Sequence, residues 1–83
     1  MKYTDQINDV KERKYKLMLD SNLKRLRNER LMSQEMLADM LHIKRQTVSS
    51  YETGRSLPDI FILIDMADIF GVTLDELVGR NVK

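Results

Sequence analysis

An all-α fold of five short helices, preceded by an additional N-terminal helical extension, is predicted by three observations. Only three Gly and one Pro interrupt the 83 residues, as a mostly helical chain requires. From residue 20 onward apolar side chains recur at spacings of three and four, the period of a helix and not of a strand. Good helix-starting residues (Ser33, Asp59, Thr73) and stopping glycines (Gly54, Gly71) punctuate the apolar stretches. The length is that of one domain. It divides into an extension over 1–19, a helical domain over 20–79 and a short tail over 80–83.

The first core helix runs from a cap at Asp20 or Ser21 through Arg30, with Leu23, Leu26 and the stem of Arg30 on one face. The second starts at Ser33 and carries Met36, Leu37, Met40 and Leu41 as its apolar stripe. A third spans Lys44 to Thr53, turning only Val48 and Tyr51 inward. Asp59 caps a fourth whose expected core face is Ile60, Leu63, Ile64, Ala67 and Phe70. That helix also carries Phe61, Ile62, Met66 and Ile69, so it is apolar almost all round. Such a helix is either wrapped by its own chain or exposes a patch for a partner.

The fifth helix opens with Thr73-Leu74-Asp75-Glu76, a capping box in which the Thr and Glu side chains each bond the other's amide. Leu74, Leu77 and Val78 form its apolar side. In the extension, Tyr3, Ile7 and Val10 recur at helical spacing, as do Tyr15, Met18 and Leu19. They predict a helix that stands apart or runs on into the first core helix. It serves either as a lid over the fourth helix or as a second association surface.

Composition excludes several classes. With no Cys there is no disulfide framework or thiolate metal site, and with His42 alone no histidine metal cluster. No metal and no cofactor are expected. No nucleophile–base pair or Gly-rich phosphate loop appears, so the chain is not read as an enzyme. The longest apolar run, Ile60 to Ile64, falls far short of the roughly 20 residues of a membrane span. No apolar stretch follows the N-terminal residues as an export signal requires. An intracellular, cytoplasmic protein is expected, and 83 residues leave no room for a separate sensor domain or its effector. The net charge of +1 conceals an asymmetry. Residues 20–55 carry seven basic and five acidic groups, and residues 56–83 carry two and five.

The second and third helices, joined by a short turn at Met40 to Ile43, form a helix-turn-helix unit. The third has a narrow apolar stripe and a wide polar face holding Lys44, Arg45, Gln46, Thr47, Ser49 and Ser50. Such a face suits a major-groove reader, because Arg and Lys donate twice to guanine and Gln both donates to and accepts from adenine. Periodicity alone equally fits a solvated face on an ordinary helical bundle.

Several motifs in register decide further. Ser33-Gln34-Glu35-Met36-Leu37-Ala38, Arg45 through Arg55, Leu57-Pro58-Asp59 and Ala67 through Leu77 together resemble the helix-turn-helix domain of lambdoid phage repressors and Cro proteins, the xenobiotic-response-element (XRE) family. The likeness spans about residues 22–79. It implies a lambda-repressor-like fold and a double-stranded DNA-binding transcriptional regulator, by preference a repressor.

Carried over by position, the resemblance implies that Gln34 contacts a phosphate and braces the reading helix. It assigns Arg45 and Gln46 most of the base readout, with Lys44 shared between base and phosphate. Thr47 is implied to bond backbone or phosphate, Ser49 and Ser50 to lie further along the exposed side, and Arg55 and Ser56 to approach the DNA backbone. Arg27 and Glu52 match a structural salt bridge between the first and third helices. Family members bind two half-sites as dimers, so a homodimer on an inverted repeat is implied. Two positions depart from the pattern: His42 stands where glycine is usual, and Lys44 where many relatives carry a Ser or Thr cap. An alternative function is that of an antitoxin-like interaction module, gripping a partner protein through the N-terminal helix.

Overall fold

The computed structural model describes residues 18–80. The helical extension expected over residues 1–19 lies outside them except for Met18 and Leu19, as do any partner it grips and the last three residues of the tail. The described residues form five helices: α1 (Leu19–Glu29), α2 (Gln34–Leu41), α3 (Arg45–Glu52), α4 (Ile60–Phe70) and α5 (Leu74–Val78). None of them is long and apolar enough to cross a membrane.

Three helices begin as their sequences dictate. The side chains of Ser33, Asp59 and Thr73 accept from the amides of Met36, Ile62 and Glu76. The capping box of α5 is closed by the Glu76 carboxylate, which accepts the Thr73 N–H at 2.8 Å. That bond, seconded by the Thr73 hydroxyl, holds the Glu76 carboxyl below its ordinary range. A depressed folded pKa contributes stability above the unfolded value, near 4.5, and loses it as pH falls through the folded value. Acid titration of the urea midpoint is therefore expected to flatten below that pH in Glu76→Gln.

α1 begins differently from expectation. Neither Asp20 nor Ser21 caps it. The helix opens one residue earlier, behind Met18, which offers no side-chain acceptor. Instead the Met18 N–H donates to the Val78 carbonyl at 2.9 Å, and the Asn22 amide donates to the carbonyls of Glu76 and Leu77 at 3.3 Å each. The first turn of α1 and the last of α5 thus satisfy one another's free groups.

All five helices end on one device, a left-handed residue whose successor donates back to the carbonyl five residues before it in the last turn. The left-handed residues are Leu31, His42, Gly54, Gly71 and Gly79. The returning bonds run from Met32 to Arg27, Ile43 to Ala38, Arg55 to Ser50, Val72 to Ala67 and Arg80 to Asp75. Met32, Ile43 and Val72 then pack against the core. Leu31 is the least suited of the five to its backbone: it sits at φ 55° and its side chain is 89% exposed. Leu31→Gly should therefore raise the urea midpoint by an amount equivalent to about 1 kcal/mol, with an unchanged slope.

The core is built from Leu19, Leu23 and Leu26 of α1, Leu37, Ala38 and Leu41 of α2, Val48 and Tyr51 of α3, Met66, Ala67 and Phe70 of α4, and Leu77 of α5. Two expected stripes are corrected. Met36 and Met40 are each half exposed, because the buried side of α2 is centred on Leu37 and Leu41. Ile60 and Ile64 also face outward, while Met66 is fully buried. The inner face of α4 is Ile62, Leu63, Met66, Ala67, Ile69 and Phe70. Arg30 fastens α4 from outside: its guanidinium donates to the Phe70 carbonyl and lies 5.4 Å from the centre of the Phe70 ring.

Candidate nucleic-acid interface

The turn between α2 and α3 is His42-Ile43-Lys44. His42 closes α2 at φ 58° and ψ 42°, adopting with a side chain the conformation for which glycine is favoured. Ile43 drops into the core edge, and Lys44 starts α3 from extended backbone with no side-chain cap. Val48 and Tyr51 are buried and the Glu52 carboxylate also turns inward, while Arg45 and Gln46 at the head of α3 stand exposed.

On that outer side Arg45, Gln46, Ser49, Ser50, Thr53 and Arg55 line one open groove of about 470 Å³. Two guanidinium groups, one carboxamide and three hydroxyls surround it, and no carboxylate does. Such walls offer charge to a phosphate and paired donors and acceptors to a base edge. Five of the expected contact residues are brought together there. Thr53 joins them, following Arg45 and Ser49 at four-residue steps along the same helical face, a spacing already present in the sequence.

The other expected contact residues lie around this groove, not in its wall. Lys44 is exposed at the N-cap, and Thr47 is half-buried on α3. The hydroxyls of Ser50 and Ser56 share a hydrogen bond of 2.8 Å, tying the loop after α3 to the helix. Arg55 is pinned through its backbone, whose N–H donates to the Ser50 carbonyl.

Behind the groove runs a polar network reaching into the core. Arg27 donates to Glu52 through Nε at 2.6 Å and Nη2 at 3.1 Å, and through Nη1 to the Met32 carbonyl at 2.6 Å. The Glu52 hydrogen bond raises the Arg27 pKa further, against the cost of burial. Glu52 also accepts from the Gln34 amide at 3.0 Å, and the Gln34 carbonyl accepts from Arg45 Nη1 at 3.5 Å. Four side chains from three helices thus form one chain of bonds ending at the groove. Gln34 is engaged with protein on both sides of its amide, leaving one N–H for an external acceptor.

Comparison with known proteins is consistent with this geometry. Residues 23–77 match the family model described as helix-turn-helix. Among curated proteins, the HTH-type transcriptional regulator AnsR of Bacillus subtilis is 40% identical over 59 residues, covering 71% of this chain and 51% of AnsR. The regulator YqaE of the same organism is 38% identical over 61 residues, covering 74% and 53%. The CTXphi phage transcriptional repressor RstR of Vibrio cholerae is 36% identical over 59 residues, covering 68% and 53%. This chain spans about half the length of these relatives. Among solved structures, a transcriptional regulator from Listeria innocua superimposes with a TM-score of 0.79 at 33% identity, covering 83% of this chain and 64% of that one.

Proposed function

This chain belongs to the helix-turn-helix family, and on that premise we propose that it regulates transcription by reading double-stranded DNA in the major groove with α3. The observation that carries the reading is the groove lined by Arg45, Gln46, Ser49, Ser50, Thr53 and Arg55, with basic and neutral hydrogen-bonding groups and no carboxylate. Arg45 and Gln46, at the head of the helix, meet base edges. Lys44, Thr47, Ser49, Ser50, Arg55 and Ser56 serve base or backbone around them, and the free N–H of Gln34 reaches a phosphate. The uncapped first-turn amides of α3 favour a phosphate oxygen at the same end.

One such domain covers a single half-site, so specific binding calls for a homodimer on an inverted repeat. Acting as a repressor in the cytoplasm, it occupies an operator and keeps polymerase from it.

Selection of bound duplexes from a randomised library, at low and moderate salt, tests this reading. An inverted repeat should be enriched, and Arg45→Ala or Gln46→Ala should each lose about 1–3 kcal/mol of discrimination at particular base pairs. Equal weakening on every sequence would remove both residues as base readers. Binding with no sequence preference that vanishes as salt rises would reduce the interaction to backbone electrostatics.

A further inference from the structure

The outward strip of α4 changes character along its length. Leu57, just before the helix, is 73% exposed, Ile60 52% and Phe61 74%, and Ile64 lies open one turn beyond Ile60. The same strip continues through Asp65 and Asp68, four and seven residues after Phe61 and both exposed. Asp59 engages its carboxylate in the helix cap. Those of Asp65 and Asp68 have no ion-pair partner among the described residues. From Ser56 to Gly79 the sequence holds five acidic side chains (Asp59, Asp65, Asp68, Asp75 and Glu76) and no Lys or Arg. This stretch is opposite in character to the carboxylate-free groove of α3.

Charge and area select the occupant. An acidic, apolar strip repels nucleic acid and anionic lipid alike, which leaves a protein of opposite charge. The four open apolar side chains present on the order of 400–500 Å². Each partner of a standard interface between two folded copies buries roughly 800 Å². A second copy would also meet the wrong charges. Laid parallel, Asp65 and Asp68 face their own counterparts; laid antiparallel, they cover the other copy's apolar half. A helix of another protein avoids both when its apolar side chains are followed by Lys or Arg in the next turns.

We propose that this strip docks a basic amphipathic helix of another protein, its apolar residues over Ile60, Phe61 and Ile64 and its cations over Asp65 and Asp68. The contact is a helix laid along a helix for about three turns. None of these residues lines the groove of α3, so the docking surface is separate from the DNA reading and does not rest on it.

A synthetic peptide tests this: roughly 18 residues, or five turns, with Leu at helical spacing on one face and Lys on the same face in the turns that follow. A control peptide carries Glu in place of every Lys. Titrated into isotope-labelled full-length protein, the Lys peptide should shift the amide signals of residues 57–68 and leave those of 45–50 in place. At low salt it should bind about tenfold or more tightly than the Glu peptide. Asp65→Asn combined with Asp68→Asn should bring the two peptides within about threefold of each other. Phe61→Ser, at an exposed position, should weaken both. Equal affinities in the unaltered protein, shifts that miss 57–68, or no binding at all would each overturn the proposal. Shifts at 57–68 that arise from concentrating the protein alone would also overturn it, assigning the face to a second copy.

Discussion

Replacing Glu52 with Ala is expected to cost about 3–5 kcal/mol of folding stability, a large part of what a domain of this size possesses. The Glu52 side chain is 3% exposed and that of Arg27 10%, so neither end of the pair has water to fall back on. Removing the carboxylate strands a guanidinium beneath α3 with only the Met32 carbonyl to bond, and it frees the Gln34 amide as well. The pair is not itself a large net source of stability, since its desolvation offsets most of its attraction. Arg27→Met combined with Glu52→Leu should therefore recover much of what Glu52→Ala loses. Urea denaturation of the three proteins checks this, and a loss below about 1 kcal/mol in Glu52→Ala would mean that water reaches the guanidinium.

The second large effect is a contrast between neighbours on α2. Leu37→Ala should cost about 2–5 kcal/mol, because the side chain is fully buried in the core and its deletion leaves a cavity. Met36→Ala, one residue away, should cost less than about 0.5 kcal/mol, because half of that side chain already meets solvent. Denaturation midpoints measured side by side decide it. Comparable losses would mean that α2 is turned by part of a rotation about its axis.

That contrast marks where the sequence was readable and where it was not. Helix positions were legible because their signals are local: Ser33, Asp59 and Thr73 each cap an amide three residues on, and Gly54 and Gly71 take the left-handed backbone. Which way a helix faces was less so. On α2, Met36 and Leu37 look equally apolar, and only packing separates them. On α4 nearly every side chain is apolar, so the sequence carried no phase and the outward turn of Ile60 and Ile64 had no local cause.

The start of α1 is illegible for a different reason. Its free amide is met by Val78, 60 residues away, and no cap pattern encodes a tertiary bond. At the interface, the head of α3 was legible as a row of polar side chains. Thr53 was within reach of the same spacing argument. The engagement of Gln34 with Glu52 and Arg45 was not, since it depends on three helices meeting at one point.

The bonds between Met18 and Val78, and between Asn22 and the end of α5, place residue 18 beside residue 79. The chain therefore enters and leaves this domain through a single doorway. Whatever is attached before or after it springs from the same spot, like two leads from one socket. A domain wired in this way can be spliced into a surface loop of another protein with short connectors, leaving α2 and α3 undisturbed. It also makes the closing of that doorway a long-range event in folding, for the first and last helices must find each other before either end is finished.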